Sequence, residues 1–79
     1  MNNKQKYDKA FVETFEIDKT QIGKELVYQS VPLWDSVGHM GLIAALEDEF
    51  DIMLEMDDVV NFGSSDIGKE ILAKYGVEI

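Results

Sequence analysis

Apolar side chains return every three or four positions near the start of the chain, at Tyr7, Ala10, Phe11 and Phe15, with polar residues between them. That spacing puts them on one helical face and predicts a first amphipathic helix over residues 3–16. The period then lapses. Residues 17–35 contain Gly23, Pro32 and polar clusters, interspersed with Ile22, Leu26, Val27, Tyr28 and Leu33. A loop this long inside a small domain is unusual. Its apolar residues predict that it packs across the core, with a short helical turn along the way, and Trp34 is expected to pin it there.

Helical spacing resumes over residues 36–51. Met40, Ile43, Leu46 and Phe50 form the expected inner stripe, Leu42 widens it, and Glu47, Asp48 and Asp51 lie off it. Pro32 lies upstream, and Asp35 or Ser36 can cap the start. Gly38 and Gly41 are poor helix formers, each costing up to about 1 kcal/mol relative to alanine. Ile52, Leu54 and Met56 alternate with Met53 and Glu55 like a strand. With no partner strand elsewhere, this stretch reads as an extended connector. Residues 57–61 predict a short third helix with Asp57 and Asp58 at its positive end, broken by Phe62 and Gly63. Ser64 or Ser65 caps a last helix through Tyr75, with Ile67, Ile71 and Leu72 facing inward and Gly76 as its C-terminal stop. The expected fold is all-α: a four-helix bundle of three longer helices and one short one, with a long loop between the first two, in a single domain over residues 1–79.

Composition narrows the partners. Among 79 residues, 46% are apolar, enough for one compact core, and the absence of cysteine excludes disulfides and thiolate zinc sites. Sixteen acids against seven Lys and Arg give a net charge of −9. Nucleic acid and anionic membrane surfaces need clustered cations, so both are disfavoured, and basic patches on other proteins are the natural complement. No apolar run reaches the length of a membrane span, and residues 1–6 carry no apolar signal core. The cytoplasm is the expected location and a monomer the expected state. The acids of residues 48–58 do not make a calcium loop, because Ile52, Met53 and Leu54 fall where oxygen ligands are needed.

The chemistry gathers at Trp34-Asp35-Ser36-Val37, which opens the second helix, and at Leu46-Glu47-Asp48-Glu49-Phe50-Asp51, which closes it. A serine beside an acid at a helix N-terminus is usually a cap. Such a terminus also favours a phosphate attached there, because its N–H groups are unpaired. Together the two segments, at this spacing and in a small acidic helical chain, resemble the acyl carrier protein family. The resemblance covers most of residues 7–75 and is strongest over 34–54. It implies that Ser36 carries a covalent 4'-phosphopantetheine arm, transferred from coenzyme A by a phosphopantetheinyl transferase, with Asp35 assisting the modification. It further implies acyl- or aminoacyl-loading and acyl-transferring enzymes as partners, docking through basic patches onto Val37, Met40, Glu47 and Asp48. Ile43, Val59 and Phe62, with Met40, are the candidates for lining a shelter for the cargo between the second and third helices. The protein itself would not be an enzyme. His39 is the lone histidine, expected on the solvent-exposed surface, and no third group completes a triad with it and Ser36.

One departure bears on the partners. Carriers of fatty acid synthesis commonly bear acids in the first turns of this helix and a leucine after the serine, where this chain has Gly38, Gly41 and Val37. The difference, together with Trp34 and the His39-Met40 pair, points to a specialised pathway or an aminoacyl carrier. The alternative from another class is a small acidic interaction module with no covalent cofactor; a third reading is a carrier-like chain that is never loaded.

Overall fold

The computed structural model describes residues 2–79. It is all-α: helix α1 spans Asn3–Phe15, α2 Ser36–Phe50, α3 Met56–Asn61 and α4 Ser65–Ala73, with a 3₁₀ turn at Lys19–Gln21. No strand forms among the described residues, and Val27 and Ser64 make a single antiparallel bridge. No described helix is long and apolar enough to cross a membrane.

Capping sets the boundaries. Asn2 and Gln5 form a reciprocal capping box at the start of α1. Glu16 and Asp51 end α1 and α2 in the left-handed region, at φ 54° and 53°. In each case the next amide reaches back five residues, Ile17 N–H to the Val12 carbonyl and Ile52 N–H to that of Glu47. This is the closure glycine usually makes. At the other end of the chain the α-helical geometry stops at Ala73, two residues before Tyr75, the expected end. Gly76, at φ 82°, then completes the same closure, with Val77 N–H bonded to the Leu72 carbonyl. Ser64, and not Ser65, caps α4 by accepting from Ile67 N–H.

The expected core of α1 is in place: Tyr7, Ala10, Phe11 and Phe15 are all buried. They meet Trp34, which is fully buried and lies 5.0 Å from Phe15, stacked, and 5.7 Å from Phe11, edge-on. Two inward assignments are corrected. Met40 is 56% exposed and Ile67 42% exposed. The buried stripe of α2 runs through Leu42, Ile43 and Leu46, with Phe50 half-buried. It therefore keeps the expected Ile43 and Leu46 and takes in Leu42 fully, in place of Met40.

The long loop is tied down by backbone bonds as well as by burial of Leu26 and, in part, Ile22, whereas Val27, Tyr28 and Leu33, expected against the core, are each 40% exposed. The Leu26 carbonyl accepts from Ser65 N–H, and Tyr28 N–H donates to the Gly63 carbonyl. Ser65, itself buried, donates its hydroxyl to the Gly23 carbonyl and accepts the Tyr7 phenol at its own carbonyl. One residue thus joins α1, the loop and the start of α4. Burial pushes the Tyr7 phenol far above its ordinary pKa, with Asp66 and Asp8 adding to the effect.

Residues 52–55 form the expected extended connector, with Leu54 buried and α3 starting at Met56. Short α3 has no side-chain cap at Glu55. It is anchored instead through Asp58, which accepts from the Lys74 ammonium and the Tyr75 hydroxyl. The same Tyr75 oxygen accepts Glu55 N–H. First the Lys74 bond, then the Tyr75 bond, holds the Asp58 carboxyl below the usual carboxylate range.

Candidate functional site

Asp35 is the N-cap of α2, its carboxylate accepting Gly38 N–H at 2.8 Å. Its carbonyl takes His39 N–H, the first turn-closing bond of the helix. Ser36 is therefore the first helical residue and not a cap. Its side chain is exposed and its hydroxyl makes no hydrogen bond to another described residue. The amides at the start of an α-helix have no intrahelical acceptor. With that of Gly38 taken by Asp35, those of Ser36 and Val37 face outward beside the hydroxyl, in the positive field of the helix end.

Gly38 has a packing reason. A Cβ there would stand 1.8 Å from the Leu33 carbonyl oxygen and 3.3 Å from the Phe15 ring. The loop carbonyl lies directly on the first turn of α2. Gly41 has no such neighbour, its nearest being the Thr14 methyl at 3.6 Å. Glycine is thus required by packing at residue 38, in the first turn of α2, and optional at residue 41, in the second.

Ser36 stands at the edge of an apolar groove between α2 and α3, with a volume of about 450 Å³. Val59 and Phe62 are buried in its floor, His39 and Tyr28 stand at its loop side, and Met40, Met56 and Val60 flank it. The last three are 56%, 74% and 72% exposed, and Val37 beside them is 80% exposed. A comparable concavity under the long loop is polar, lined by Thr20, Lys24, Glu25 and Ser30 among others. Of its hydroxyls, that of Ser30 accepts Val27 N–H and that of Thr20 lies on the 3₁₀ turn, so neither stands free at the start of an α-helix as Ser36 does.

The structure brings Ser36, Met40, Val59 and Phe62 together, and Val37 flanks them. Ile43 is buried in the core and does not line the groove. Glu47 is half-buried, its carboxylate accepting Leu54 N–H at 2.9 Å, so it fastens the connector to α2. Asp48 is exposed. No cluster of three or more metal-ligating side chains occurs among the described residues.

His39 is the main correction. It is half-buried, not a surface residue. Its Nδ1 lies 2.9 Å from the Trp34 indole nitrogen and its Nε2 lies 2.7 Å from the Val59 carbonyl oxygen. Its ring lies nearly parallel to that of Trp34, edge to edge across the Nδ1 bond, and meets Tyr28 and Phe62 edge-on. Tyr28, Met56 and Val60 were also not anticipated at the site. Met56 and Val60 are spaced four apart on α3, a helical neighbour relation visible in the sequence. The Trp34–His39 bond crosses a loop-to-helix corner and leaves no periodic trace.

Compared with protein-family models, curated proteins and solved structures, the chain gives no match.

Proposed function

We propose that this chain is a carrier of the acyl carrier type, holding substrates as thioesters on a 4'-phosphopantetheine arm attached to Ser36. On this reading its four helices are the bundle of that family. The observation that carries the reading is the position of Ser36: an unengaged, exposed hydroxyl in the first turn of a fifteen-residue helix, at the mouth of an apolar groove. The residues fit the group. The outward N–H groups and the helix dipole favour a phosphodiester on Ser36, and Met40, Val59 and Phe62 offer apolar walls to whatever the arm carries.

When bound, the arm supplies a thiol whose thioester is open to attack by partner enzymes. The chain's own residues position it. Asp35 fixes the first turn through Gly38 and leaves its other oxygen outward, available to the metal ion of the transferase complex. Val37, Met40 and Asp48 present a mixed apolar and acidic rim to partners with basic patches, where charge acts mainly on association rate. Glu47 contributes to that surface only insofar as its bond to Leu54 N–H leaves it free. A glycine in place of an acid at residue 41, where packing does not demand one, favours a dedicated partner set in a specialised pathway, located in the cytoplasm.

The test is an intact-mass spectrum after incubation with coenzyme A, magnesium and a broad-specificity phosphopantetheinyl transferase, beside Ser36→Ala. One added phosphopantetheine on the wild type and none on the variant is the expected result. No addition, with a cognate transferase also tried, would refute it. That outcome would favour the second reading, an interaction module, which rests on the exposed Val37, Met40, Met56 and Val60 alone.

A further inference from the structure

We infer that His39 is a proton-sensitive latch that sets the width of the α2–α3 groove. An indole N–H can only donate, so the Nδ1 atom 2.9 Å from Trp34 Nε1 must accept. A neutral imidazole has one donor and one acceptor, so its proton sits on Nε2, which donates to the Val59 carbonyl at 2.7 Å. The tautomer is thus fixed by its two partners. One rigid ring makes both bonds, and the Val59 bond ties α3 to α2 at the floor of the groove.

A second proton would go on Nδ1. Two N–H donors would then face each other across 2.9 Å. Trp34 cannot retreat, because it is fully buried between Phe11 and Phe15. The imidazole must shift off Trp34, and its Nε2–H, whose bond to the Val59 carbonyl the charge strengthens, carries that carbonyl with it. Helix α3 keeps its other anchor, Asp58 to Lys74 and Tyr75, and so pivots outward on it.

Among the described residues, the Val59 carbonyl is the one acceptor bonded to the imidazole. The side chains around the ring are Trp34, Tyr28 and Phe62, of which Tyr28 alone is titratable, and its ring meets the imidazole edge-on. On α2, the Asp35 carboxylate is bonded to Gly38 N–H. On α3, Asp58 is taken up by Lys74 and Tyr75, and Asp57 is exposed. From α1, the aromatic residues Phe11 and Phe15 reach the site through Trp34. Among the described residues, no carboxylate bonds to the imidazole.

As regulation of cargo access, this inference rests on the carrier reading. The latch itself is tested on the unmodified protein, so the two fail separately. In ¹⁵N-labelled protein the His39 nitrogens should show a pyrrole-type Nε2 and a pyridine-type Nδ1 at neutral pH. On acidification the Met40 and Met56 methyl signals should move with the same midpoint as the imidazole ¹⁵N signals. Solvent exchange of the Trp34 indole proton should accelerate about fivefold or more, as expected for one lost hydrogen bond. In His39→Gln an amide N–H remains near the Nε2 position and nothing titrates, so the methyl step should vanish. A proton on Nδ1 at neutral pH, methyl signals that ignore the imidazole titration, or a step that survives in His39→Gln would each overturn the latch. The wild-type titration decides the matter even if the variant does not fold.

Discussion

Replacing either glycine of α2 by alanine makes the same chemical change three residues apart in one helix, and the structure assigns the two replacements opposite signs. Alanine is favoured over glycine in a helix by up to about 1 kcal/mol, less in the first turn. At Gly41 the new methyl would meet only the Thr14 methyl at 3.6 Å, an ordinary contact. Gly41→Ala should therefore stabilise by about 0.5–1 kcal/mol. At Gly38 the methyl would lie 1.8 Å from the Leu33 carbonyl oxygen. That peptide would have to retreat by more than an ångström. It is held by its neighbour Trp34, whose N–H bonds to the Val31 carbonyl and whose carbonyl accepts Gln29 N–H. Overpacking of this kind costs about 1–3 kcal/mol and exceeds the helix gain. Urea titrations followed by circular dichroism and Trp34 fluorescence give both numbers. For a domain of this size each kcal/mol corresponds to about 4–8 °C in Tm. If Gly38→Ala proved as stable as the wild type, or if both variants shifted equally in one direction, the packing argument for the bare first turn would be wrong.

Asp35→Ala should cost about 1 kcal/mol of stability, as loss of an N-cap does. Ser36→Ala should stay within about 0.5 kcal/mol of wild type, as exposed sites without partners do. The reverse order in a denaturation series would restore Ser36 as the cap. Asp58→Asn should lower the urea midpoint at neutral pH. Because the folded carboxyl is held below its usual range, the wild-type advantage is present above about pH 4 and fades as pH falls through that value and below. A gap that stayed constant into acid would rule out the ionic contribution. The net charge of −9 repels itself, so Tm should rise with added salt. A Tm flat across ionic strength would contradict that.

The helices were legible because their burial is periodic. Tyr7, Ala10, Phe11 and Phe15 announce α1 and all four are buried. Met40 was misplaced because its spacing fits both the buried stripe and the neighbouring exposed row. Only the position of α3 decides between them, and that depends on contacts distant in sequence. Helix ends were harder. Glu16 and Asp51 stop helices in a conformation usually left to glycine, so no residue type marks the stop. The groove was partly legible, since Val59 and Phe62 were expected there and Met56 and Val60 were not. Glu47 read as surface charge, yet its partner is a backbone N–H seven residues on, and backbone groups leave no mark in a sequence.

Helix α3 links these observations to the proposed function. At six residues it is too short to be stable by itself, so its position is set by what holds it. Glu47 takes Leu54 N–H just before it, Asp58 is gripped by Lys74 and Tyr75 on one side, and His39 bonds to Val59 on the other. Apolar burial at Val59 and Phe62 adds cohesion without direction. An element held at a few polar points over an apolar groove can move as a unit when one point shifts. A carrier must shelter its cargo between enzymes and surrender it to each of them. On the carrier reading, a wall that shifts with His39 while hinged at Asp58 would supply that movement without unfolding the aromatic core formed by Phe11, Phe15 and Trp34.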